Sequence, residues 1–275
     1  MQAGTDALVP GLDRARTVLQ PTGDQYEGTT RVRARPVRLQ LLLVLLVIGT
    51  VVPAPAVAAR PQPPGPSTIS FSGYDWSVKS YSRKIGPGPN LFAASNVSVD
   101  DAGRLHLRIQ RSGNRWTCAE VIANASLGYG TYTWVIDSTA NLDPNAVLGM
   151  FTWHDDPAYA HRELDIELAR WGNAADPTNG QYVVQPYDAP NHLARFTQPA
   201  TAAGTVHSFT WAPGRVDFVS RTASGELIAQ YSYIGADVPV PGGENPRINL
   251  WLFRGSAPQS GQAQEVVFRS FTFAP

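Results

Sequence analysis

Apolar and polar residues alternate with a period of two through most of the chain after residue 100, and this pattern restricts the fold more than any other feature. The segment Gly103–Gln110 (GRLHLRIQ) is typical: leucine or isoleucine occupies positions 105, 107 and 109, and polar residues lie between them. Successive side chains of a β-strand point to opposite faces of its sheet. Such a segment therefore predicts a strand with one buried face.

Ten segments follow one another in this way, and glycine, proline, asparagine and aspartate separate them. We find no convincing helix of any length. Many short strands without intervening helices favour antiparallel sheets, and two packed layers bury the apolar face of each sheet. We therefore predict an all-β protein, a two-sheet antiparallel sandwich. The predicted strands are 103–110, 129–137, 145–153, 161–168, 181–187, 206–211, 215–221, 226–233, 247–253 and 265–273.

The N-terminal region has the character of a targeting segment rather than of a folded domain. Four arginines within residues 31–38 precede an apolar run from Leu41 to Val52, and small residues follow it. This order predicts a secretory signal peptide over residues 31–59, and hence a secreted protein. The alternative is an uncleaved anchor at residues 39–59, which would hold the protein at the cell surface.

Composition suggests the remaining boundaries. Residues 1–30 are polar and precede the basic region, so we interpret them as a disordered extension or an over-long start of the reading frame. The proline-rich segment 60–68 is a spacer that has no means of forming a core. Residues 69–275 form one predicted domain.

The charge balance and the cysteine count exclude two classes of protein. The chain has 22 Lys and Arg and 22 Asp and Glu residues, and without residues 1–59 these numbers fall to 16 and 18. No excess of positive charge favours nucleic acid as a partner. Cys118 is the only cysteine, so a disulfide framework is excluded and we expect a buried thiol. We expect a monomer that meets a membrane only through an uncleaved N-terminal segment.

The segment His161–Leu168 (HRELDIEL) carries an acidic residue at every second position. On a strand, Glu163, Asp165 and Glu167 share one face, and the aliphatic residues between them share the other. Three neighbouring carboxylates cannot all ionise cheaply, so at least one pKa must rise. The acidic face is either a solvated strand surface or a site in which one acid donates a proton while another attacks.

Two local features favour a site. Only two basic residues, Arg162 and Arg170, lie close to the acids in sequence, and Arg162 alternates to the opposite side of the strand. Aromatic residues are also dense nearby, at Trp153, Tyr159 and Trp171.

The motif ELDIEL resembles the E-[ILV]-D-[ILV]-E signature of glycoside hydrolase family 16, in the spacing of the bacterial lichenase-type β-glucanases. The likeness covers nearly all of residues 69–275, and it implies a concanavalin A-like jelly-roll sandwich with a concave substrate cleft. The other segments that resemble this family, in the same order, are NLFAASNVSVDDAGRLHLRI, CAEVIA, GYGTYTWVI, GMFTWHDDPAYAHRELDIEL, VHSFTWAPGRVDF and INLW.

The resemblance implies roles for the three acids. Glu163 would be the nucleophile, Glu167 the general acid and then the general base, and Asp165 would adjust both through hydrogen bonding and charge. The implied activity is that of a secreted endo-β-glycosidase on a β-glucan-type polysaccharide. The implied mechanism is retaining double displacement through a glycosyl-enzyme ester, without a required cofactor.

Retention of configuration sets a geometric condition. Retaining glycosidases need two carboxyl groups about 5–5.5 Å apart, whereas Cα atoms four residues apart on a flat strand are about 13 Å apart. The catalytic interpretation therefore requires a curved sheet, on which the two glutamates lean toward the central aspartate.

The same resemblance implies a set of sugar-binding residues, and it also shows where the chain departs from the family. Ile122 stands where an arginine is expected, and His161 stands where a tryptophan is expected. These departures keep the three acids and alter the walls around them, so they leave the identity of the polysaccharide open. The implied sugar-binding residues are Glu120, Trp153, His161, Gln185, Tyr187, Asn249 and Trp251.

Two alternatives to hydrolysis fit the same acids: a transglycosylase, in which a sugar replaces water, and a carbohydrate-binding sandwich without turnover. Metal binding has little support. The loop that holds His154, Asp155, Asp156 and His161 lacks the ligand spacing of a metal site on a regular element, so we predict no metal ligands. The resemblance implies a structural Ca²⁺, with ligands that we do not assign.

Overall fold

The computed structural model of the protein describes residues 67–138, 142–156, 158, 162–199 and 204–275. The predicted N-terminal extension and signal peptide lie outside these ranges. Within them the chain forms sixteen strands and two short 3₁₀ helices, Ala94–Asn96 and Phe253–Gly255. No helix in this part of the chain is long and apolar enough to cross a membrane.

The strands form two antiparallel sheets of eight strands each. In spatial order, the first sheet contains β1 (Thr68–Phe71), β2 (Tyr74–Val78), β6 (Ala119–Ala123), β15 (Asn245–Leu252), β8 (Ala146–Trp153), β9 (Leu164–Ala169), β10 (Gly180–Val184) and β11 (Leu193–Phe196). The second contains β14 (Leu227–Ile234), β13 (Arg215–Thr222), β12 (Thr205–Ala212), β7 (Gly130–Ser138), β16 (Gln264–Ala274), β4 (Leu105–Ser112) and β3 (Val97–Val99), with β5 (Arg115–Thr117) paired to β4.

This architecture confirms the predicted all-β sandwich, and burial follows the sequence pattern. On β4, Leu105, Leu107 and Ile109 are fully buried, and the polar residues between them are partly exposed. Cys118 is buried and carries no disulfide, as predicted. Burial raises the pKa of this thiol to about 12, so it stays protonated at neutral pH.

Aromatic rings fill the core between the sheets. Trp134 of β7 packs against Phe209 of β12 and Phe271 of β16, and in both pairs the ring centroids are 5.4 Å apart. Trp76 of β2, in the first sheet, contacts the same Phe271 at 5.4 Å. These rings join the two layers, and burying a side chain of this kind contributes about 1.5–3 kcal/mol.

All ten predicted strands are present. The main difference from the prediction is the residue at which one of them ends. The predicted strand 181–187 is wrong beyond Val184, because the chain turns at Pro186, which has no backbone N–H for the ladder. Gln185 and Tyr187 therefore lie in a turn instead of on the strand. The strands that alternation did not reveal are short: β1, β2, β3, β5, β6 and β11 have three to five residues each.

Candidate active site

The acidic segment forms β9, an inner strand that is hydrogen-bonded to β8 on one side and to β10 on the other. Leu164 and Ile166 are fully buried toward the core. Alternation therefore puts Asp165 and Glu167 on the outward face of the first sheet, together with Glu163, which immediately precedes the strand. The interpretation as a solvated strand surface is wrong, because β9 is an inner strand and Asp165 is only 3% exposed. We call these three residues the acid trio.

Strand register aligns Glu167 with specific neighbours across the sheet. Glu167 lies opposite Gly149 of β8 on one side and Gln181 of β10 on the other. Gly149 lies opposite Asn249 of β15, and Asn249 lies opposite Glu120 of β6. These five residues form a line across the outward face, which we call the Glu167 row.

A parallel line passes through the central acid of the trio. Asp165 lies opposite Phe151 of β8, and Phe151 lies opposite Arg247 of β15. Arg247 in turn lies opposite Ile122 of β6. We call this line the Asp165 row. Its members are two residues from members of the Glu167 row on each strand, so both rows share the outward face.

All members of the two rows except Gln181 line a cleft of about 570 Å³ and form its floor. Its size is within the usual range for ligand pockets. The segment that follows β2, including Lys79 and Tyr81, forms one side, and Trp153 and Trp251 also line the cleft.

Gly149 leaves space at the centre of this floor. A Cβ atom at this position would lie 2.5 Å from Oδ1 of Asn249, so the Asn249 side chain can lie here only over a glycine. Oδ1 of Asn249 is buried and has no hydrogen-bond partner among the described residues. A buried acceptor without a partner costs about 1–3 kcal/mol.

Burial raises the pKa of every member of the acid trio. The pKa of Glu163 rises to about 8, mainly through burial and also through the charge of Glu167. The pKa of Glu167 rises to about 8 through burial and the charge of Asp165. Burial and the charge of Glu163 raise the pKa of Asp165 well above its usual range. A hydrogen bond between Glu163 and Asp165 lowers the pKa of the former and raises that of the latter.

A fixed amide holds the carboxyl group of Glu167. Nε2 of Gln181 donates a hydrogen bond to Oε2 of Glu167 at 2.7 Å. Oε1 of Gln181 accepts hydrogen bonds from Nε1 of Trp171 at 3.1 Å and Nη1 of Arg195 at 3.0 Å. Because both donors engage the amide oxygen, the amide nitrogen must point to Glu167. This hydrogen bond, and the charge of Arg195, lower the pKa of Glu167 and partly oppose the effect of burial.

A second group of charges lies in the same cleft, around Glu120. Nζ of Lys79 is 2.7 Å from Oε2 of Glu120, and Nη1 of Arg247 is 3.6 Å from its Oε1. Nη2 of Arg247 also pairs with Oδ1 of Asp155 at 3.0 Å. Lys79 donates a further hydrogen bond to the carbonyl oxygen of Gly86 at 2.8 Å. We call Lys79, Glu120, Asp155 and Arg247 the Glu120 cluster.

The predicted sugar-binding residues fall into three groups. Four of them line the cleft: Glu120, Trp153, Asn249 and Trp251. Gln185 is not among the lining residues, but its Nε2 donates a hydrogen bond to Oδ2 of Asp165 at 3.0 Å. Tyr187 is 62% exposed and does not line the cleft either. His161 lies outside the described residues, so its role stays a prediction.

Sequence analysis missed four charged or polar residues at the site. Period two alone would have found two of them: Arg247 alternates with Asn249 on β15, and Gln181 lies in the predicted strand after the acids. Lys79 and Arg195 gave no signal, because only strand pairing brings them to the cleft or to Gln181. Cations are therefore closer to the acid trio than the sequence indicated, since Arg195 and Arg247 approach from other strands.

Polar side chains of the loop after β8 already have partners within the protein. Nδ1 of His154 accepts a hydrogen bond from the backbone N–H of Asp156 at 3.0 Å, and Asp155 pairs with Arg247. Within the described ranges, no group of three or more His, Cys, Asp or Glu residues is arranged to hold a metal ion. The expected Ca²⁺ stays a prediction.

The fold is that of the β-glucanase jelly-roll sandwich. No protein-family model matches the chain, and no curated protein matches it by sequence. Its structure is similar to the β-glucanase of Bacillus licheniformis, with 20% identity, a TM-score of 0.58, and coverage of 77% of this chain and 96% of that one.

Two further solved structures have the same fold. One is a prokaryotic β-1,3-1,4-glucanase (lichenase) from a mouse hindgut metagenome, with 23% identity, a TM-score of 0.56, and coverage of 76% of this chain and 98% of that one. The other is a Mycobacterium tuberculosis protein described as an immunostimulatory antigen and pseudo β-1,3-glucanase, with 22% identity, a TM-score of 0.54, and coverage of 76% and 93%. At these identities the similarity establishes the fold.

Proposed function

We propose that the protein is a retaining endo-β-glycosidase that hydrolyses a β-glucan-type polysaccharide in the cleft of the first sheet. One observation carries the proposal: Glu163, just before an inner strand, and Asp165 and Glu167 on it line one cleft, where burial raises the pKa of each carboxyl group. Strongly perturbed carboxyl groups in a cleft are typical of catalytic sites. The β-glucanases among the structural neighbours support the substrate class.

In the proposed first step, a carboxylate oxygen of Glu163 attacks the anomeric carbon and the glycosidic C–O bond breaks. Glu167 donates its proton to the departing oxygen, and a glycosyl ester of Glu163 remains. In the second step, Glu167 removes a proton from water, the water oxygen attacks the anomeric carbon, and the Glu163 carboxylate leaves. Two inversions give net retention.

The electrostatics of Glu167 suit its proposed role. A carboxyl group with a pKa of about 8 is protonated at neutral pH, as a general acid must be, and burial gives Glu167 such a value. Burial raises the pKa of Glu163 to about 8 as well, and the hydrogen bond with Asp165 opposes this rise, in the direction that a nucleophile requires.

The floor and walls of the cleft supply contacts that fit a neutral sugar. Polar side chains of the floor, among them Glu120 and Asn249, line the cleft. Trp153 is partly exposed in the cleft and offers an aromatic face for a pyranose ring.

A polysaccharide screen tests the proposal. The purified protein is incubated with mixed-linkage β-glucan, laminarin, xyloglucan, agar and carrageenan, and the products are identified by mass and by ¹H NMR of the newly formed anomer. We expect oligosaccharides from a β-glucan, with the β anomer appearing first. An α anomer at early times would contradict retention.

Two other outcomes would replace the proposal with one of its alternatives. Products longer than the starting oligosaccharide identify a transglycosylase, in which a sugar takes the place of water. Saturable binding without any product identifies a carbohydrate-binding sandwich, and the pseudo-glucanase neighbour makes this control necessary.

The proposal also includes secretion through residues 31–59, a monomeric state, and activity without a cofactor. N-terminal sequencing of the exported protein tests the first. Sizing chromatography tests the second, and activity after dialysis against EDTA tests the third, with lost turnover contradicting it.

A further inference from the structure

The indole ring of Trp153 is held at its edge. Trp153 is the last residue of β8, where it is partly exposed and lines the cleft. Nε1 of Trp153 donates a hydrogen bond to Oδ1 of Asp155 at 3.2 Å. Because a side chain can rotate about its χ angles, a hydrogen bond at the ring edge restricts the plane that the ring presents to the cleft.

Asp155 is itself held in place, although its side chain is 80% exposed. Nη2 of Arg247 pairs with the same oxygen, Oδ1, at 3.0 Å. Arg247 is only 4% exposed, and its Nη1 lies 3.6 Å from Oε1 of Glu120. A guanidinium is planar and always charged, so a buried guanidinium between two carboxylates is a fixed anchor. The carboxylate of Asp155 thus connects the floor of the cleft with an aromatic side chain that lines it.

Strand register accounts for this connection. Trp153 lies opposite Asn245 of β15, and Arg247, two residues further along β15, lies opposite Phe151. Trp153 and Arg247 are therefore diagonal neighbours on the outward face of the sheet, within reach of long side chains. Asp155 follows Trp153 by two residues, and its single carboxylate contacts both of them.

We propose that Asp155 is a positioning residue for sugar binding: its carboxylate, anchored by Arg247, holds the indole of Trp153 in the orientation in which its face meets a pyranose ring. This inference rests on the proposed function, because it requires a sugar in the cleft. It goes beyond that function by assigning the orientation of the ring to a loop residue outside the acid trio. A ring that is already oriented loses less freedom on binding, so its orientation increases affinity.

A purely structural role for Asp155 makes a different prediction. If its carboxylate only neutralised Arg247, Asp155→Ala would weaken sugar binding equally in wild type and in Trp153→Phe. If Asp155 acts through the indole N–H, Asp155→Ala has little effect in Trp153→Phe, because phenylalanine has no N–H to hold. The two substitutions and their combination form a double-mutant cycle that separates these cases.

The first measurement needs no sugar. In ¹H–¹⁵N spectra of the full chain, the indole N–H signal of Trp153 is identified by its loss in Trp153→Phe, and its exchange with water is measured. In Asp155→Ala we expect this exchange to be about 3-fold faster or more, because the N–H loses its acceptor. We expect Asp155→Ala to fold, because the side chain is exposed and Arg247 keeps Glu120 as a partner.

Asp156 provides a matched control. It is an acidic residue of the same loop, but its carboxylate accepts a hydrogen bond from the backbone N–H of Ala158, and it is not among the described residues that line the cleft. Asp156→Ala should therefore leave the exchange of the Trp153 indole unchanged. The indole signals of Trp76 and Trp134, which are buried in the core, show whether each variant is folded.

The second measurement is the affinity for oligosaccharides of mixed-linkage β-glucan and of laminarin. It is made by calorimetry in a Glu163→Gln background, so that no ligand is hydrolysed. Asp155→Ala should raise Kd by about 3- to 10-fold, the range expected for ordering one side chain on binding. Trp153→Phe and Trp153→Phe/Asp155→Ala should have Kd values that agree within about twofold.

Three results would overturn the inference: an unchanged exchange rate in Asp155→Ala, an equal acceleration in Asp156→Ala, or additive losses of affinity in the double-mutant cycle. Absence of binding in the Glu163→Gln background has a different meaning. It would contradict the proposed function, and the exchange rate would still decide whether Asp155 holds the ring of Trp153.

Discussion

The acid trio and the Glu120 cluster lie in one cleft, yet their charges are arranged in opposite ways. In the trio, three carboxyl groups are neighbours, and the direct hydrogen-bond donors to Asp165 and Glu167 are the neutral amides of Gln185 and Gln181. In the Glu120 cluster, carboxylates alternate with Lys79 and Arg247 in ion pairs. Glu120 and Arg247 are as buried as Asp165, so burial alone does not identify a functional site.

The difference has energetic consequences. Removing one partner from a buried ion pair is strongly destabilising, because it leaves an uncompensated charge. Removing the charge from a buried carboxyl group that has no cationic partner relieves a desolvation penalty. Each charge of the Glu120 cluster therefore needs its partner in the folded protein, whereas ionisation of the acid trio costs stability, as is typical of groups retained for chemistry.

The largest expected difference between the two groups is in catalysis. Glu163→Gln and Glu167→Gln should each reduce kcat on a β-glucan by at least about 10³-fold, since they remove the nucleophile and the general acid. Glu120→Gln should reduce kcat by less than about 10-fold, because Glu120 takes no part in either chemical step. Initial-rate assays of the three variants measure this. Similar losses at all three positions would mean that the trio has no distinct role.

Replacing a glutamate by glutamine should change the free energy of unfolding in opposite directions in the two groups. Glu120→Gln should lower the free energy of unfolding by about 3 kcal/mol, because it leaves Lys79 and Arg247 short of a carboxylate. Glu167→Gln should raise it at pH 8 by about 1 kcal/mol, because the neutral amide has no charge to desolvate. Glu120 and Glu167 lie in one row, so urea unfolding of the two variants is a closely matched comparison. Destabilisation of equal size at both positions would contradict the distinction.

The pH dependence of stability should separate the groups further. The folded-state pKa values of Glu163 and Glu167 are raised from 4.5 to about 8, so between these values the folded protein binds more protons than the unfolded chain. Their contribution to the free energy of unfolding therefore falls as pH rises through this window, and is fully present only below its lower end. We expect wild type to lose at least about 1 kcal/mol more between pH 5 and pH 8 than the double variant Glu163→Gln/Glu167→Gln. Parallel curves would show that the trio is not perturbed.

The smallest expected effect concerns the amide that holds Glu167. Gln181 lowers the pKa of Glu167 through its hydrogen bond, so Gln181→Leu should raise this pKa. The alkaline limb of kcat/KM, where the general acid loses its proton, should move upward by about half a pH unit. Trp171→Phe removes one of the two donors that orient Gln181 and should move the limb less. A downward movement in Gln181→Leu would contradict the assignment of Glu167 as the acid.

The sequence was most informative where structure depends on local alternation. Period two was sufficient to find the long strands, and it placed the acid trio on one face of β9. It failed at Gln185 and Tyr187, because the turn at Pro186 ends the strand before them. An alternating sequence pattern can run past the end of a strand into a turn, so alternation does not show where the strand ends.

The pairing of charges could not be predicted, because it depends on contacts between distant segments. Lys79 and Glu120 are 41 residues apart in the chain and meet only because β2 pairs with β6. Arg247 meets Glu120 because β15 pairs with β6, through strand register that no single segment encodes. The sequence therefore predicted which residues carry the proposed chemistry, and the structure was needed to distinguish the unpaired acids from the paired ones.

Chemical rescue of the nucleophile tests the central claim most directly. Glu163→Ala is assayed with an activated aryl β-glycoside of an oligosaccharide that the protein cleaves, with and without sodium azide. We predict that azide restores turnover and yields an α-glycosyl azide, because the small anion enters the space of the missing carboxylate and attacks from the same face. Rescue of Glu167→Ala should instead give the β-glycosyl azide. A Glu163→Ala protein that turns over as fast as wild type without azide would contradict the claim.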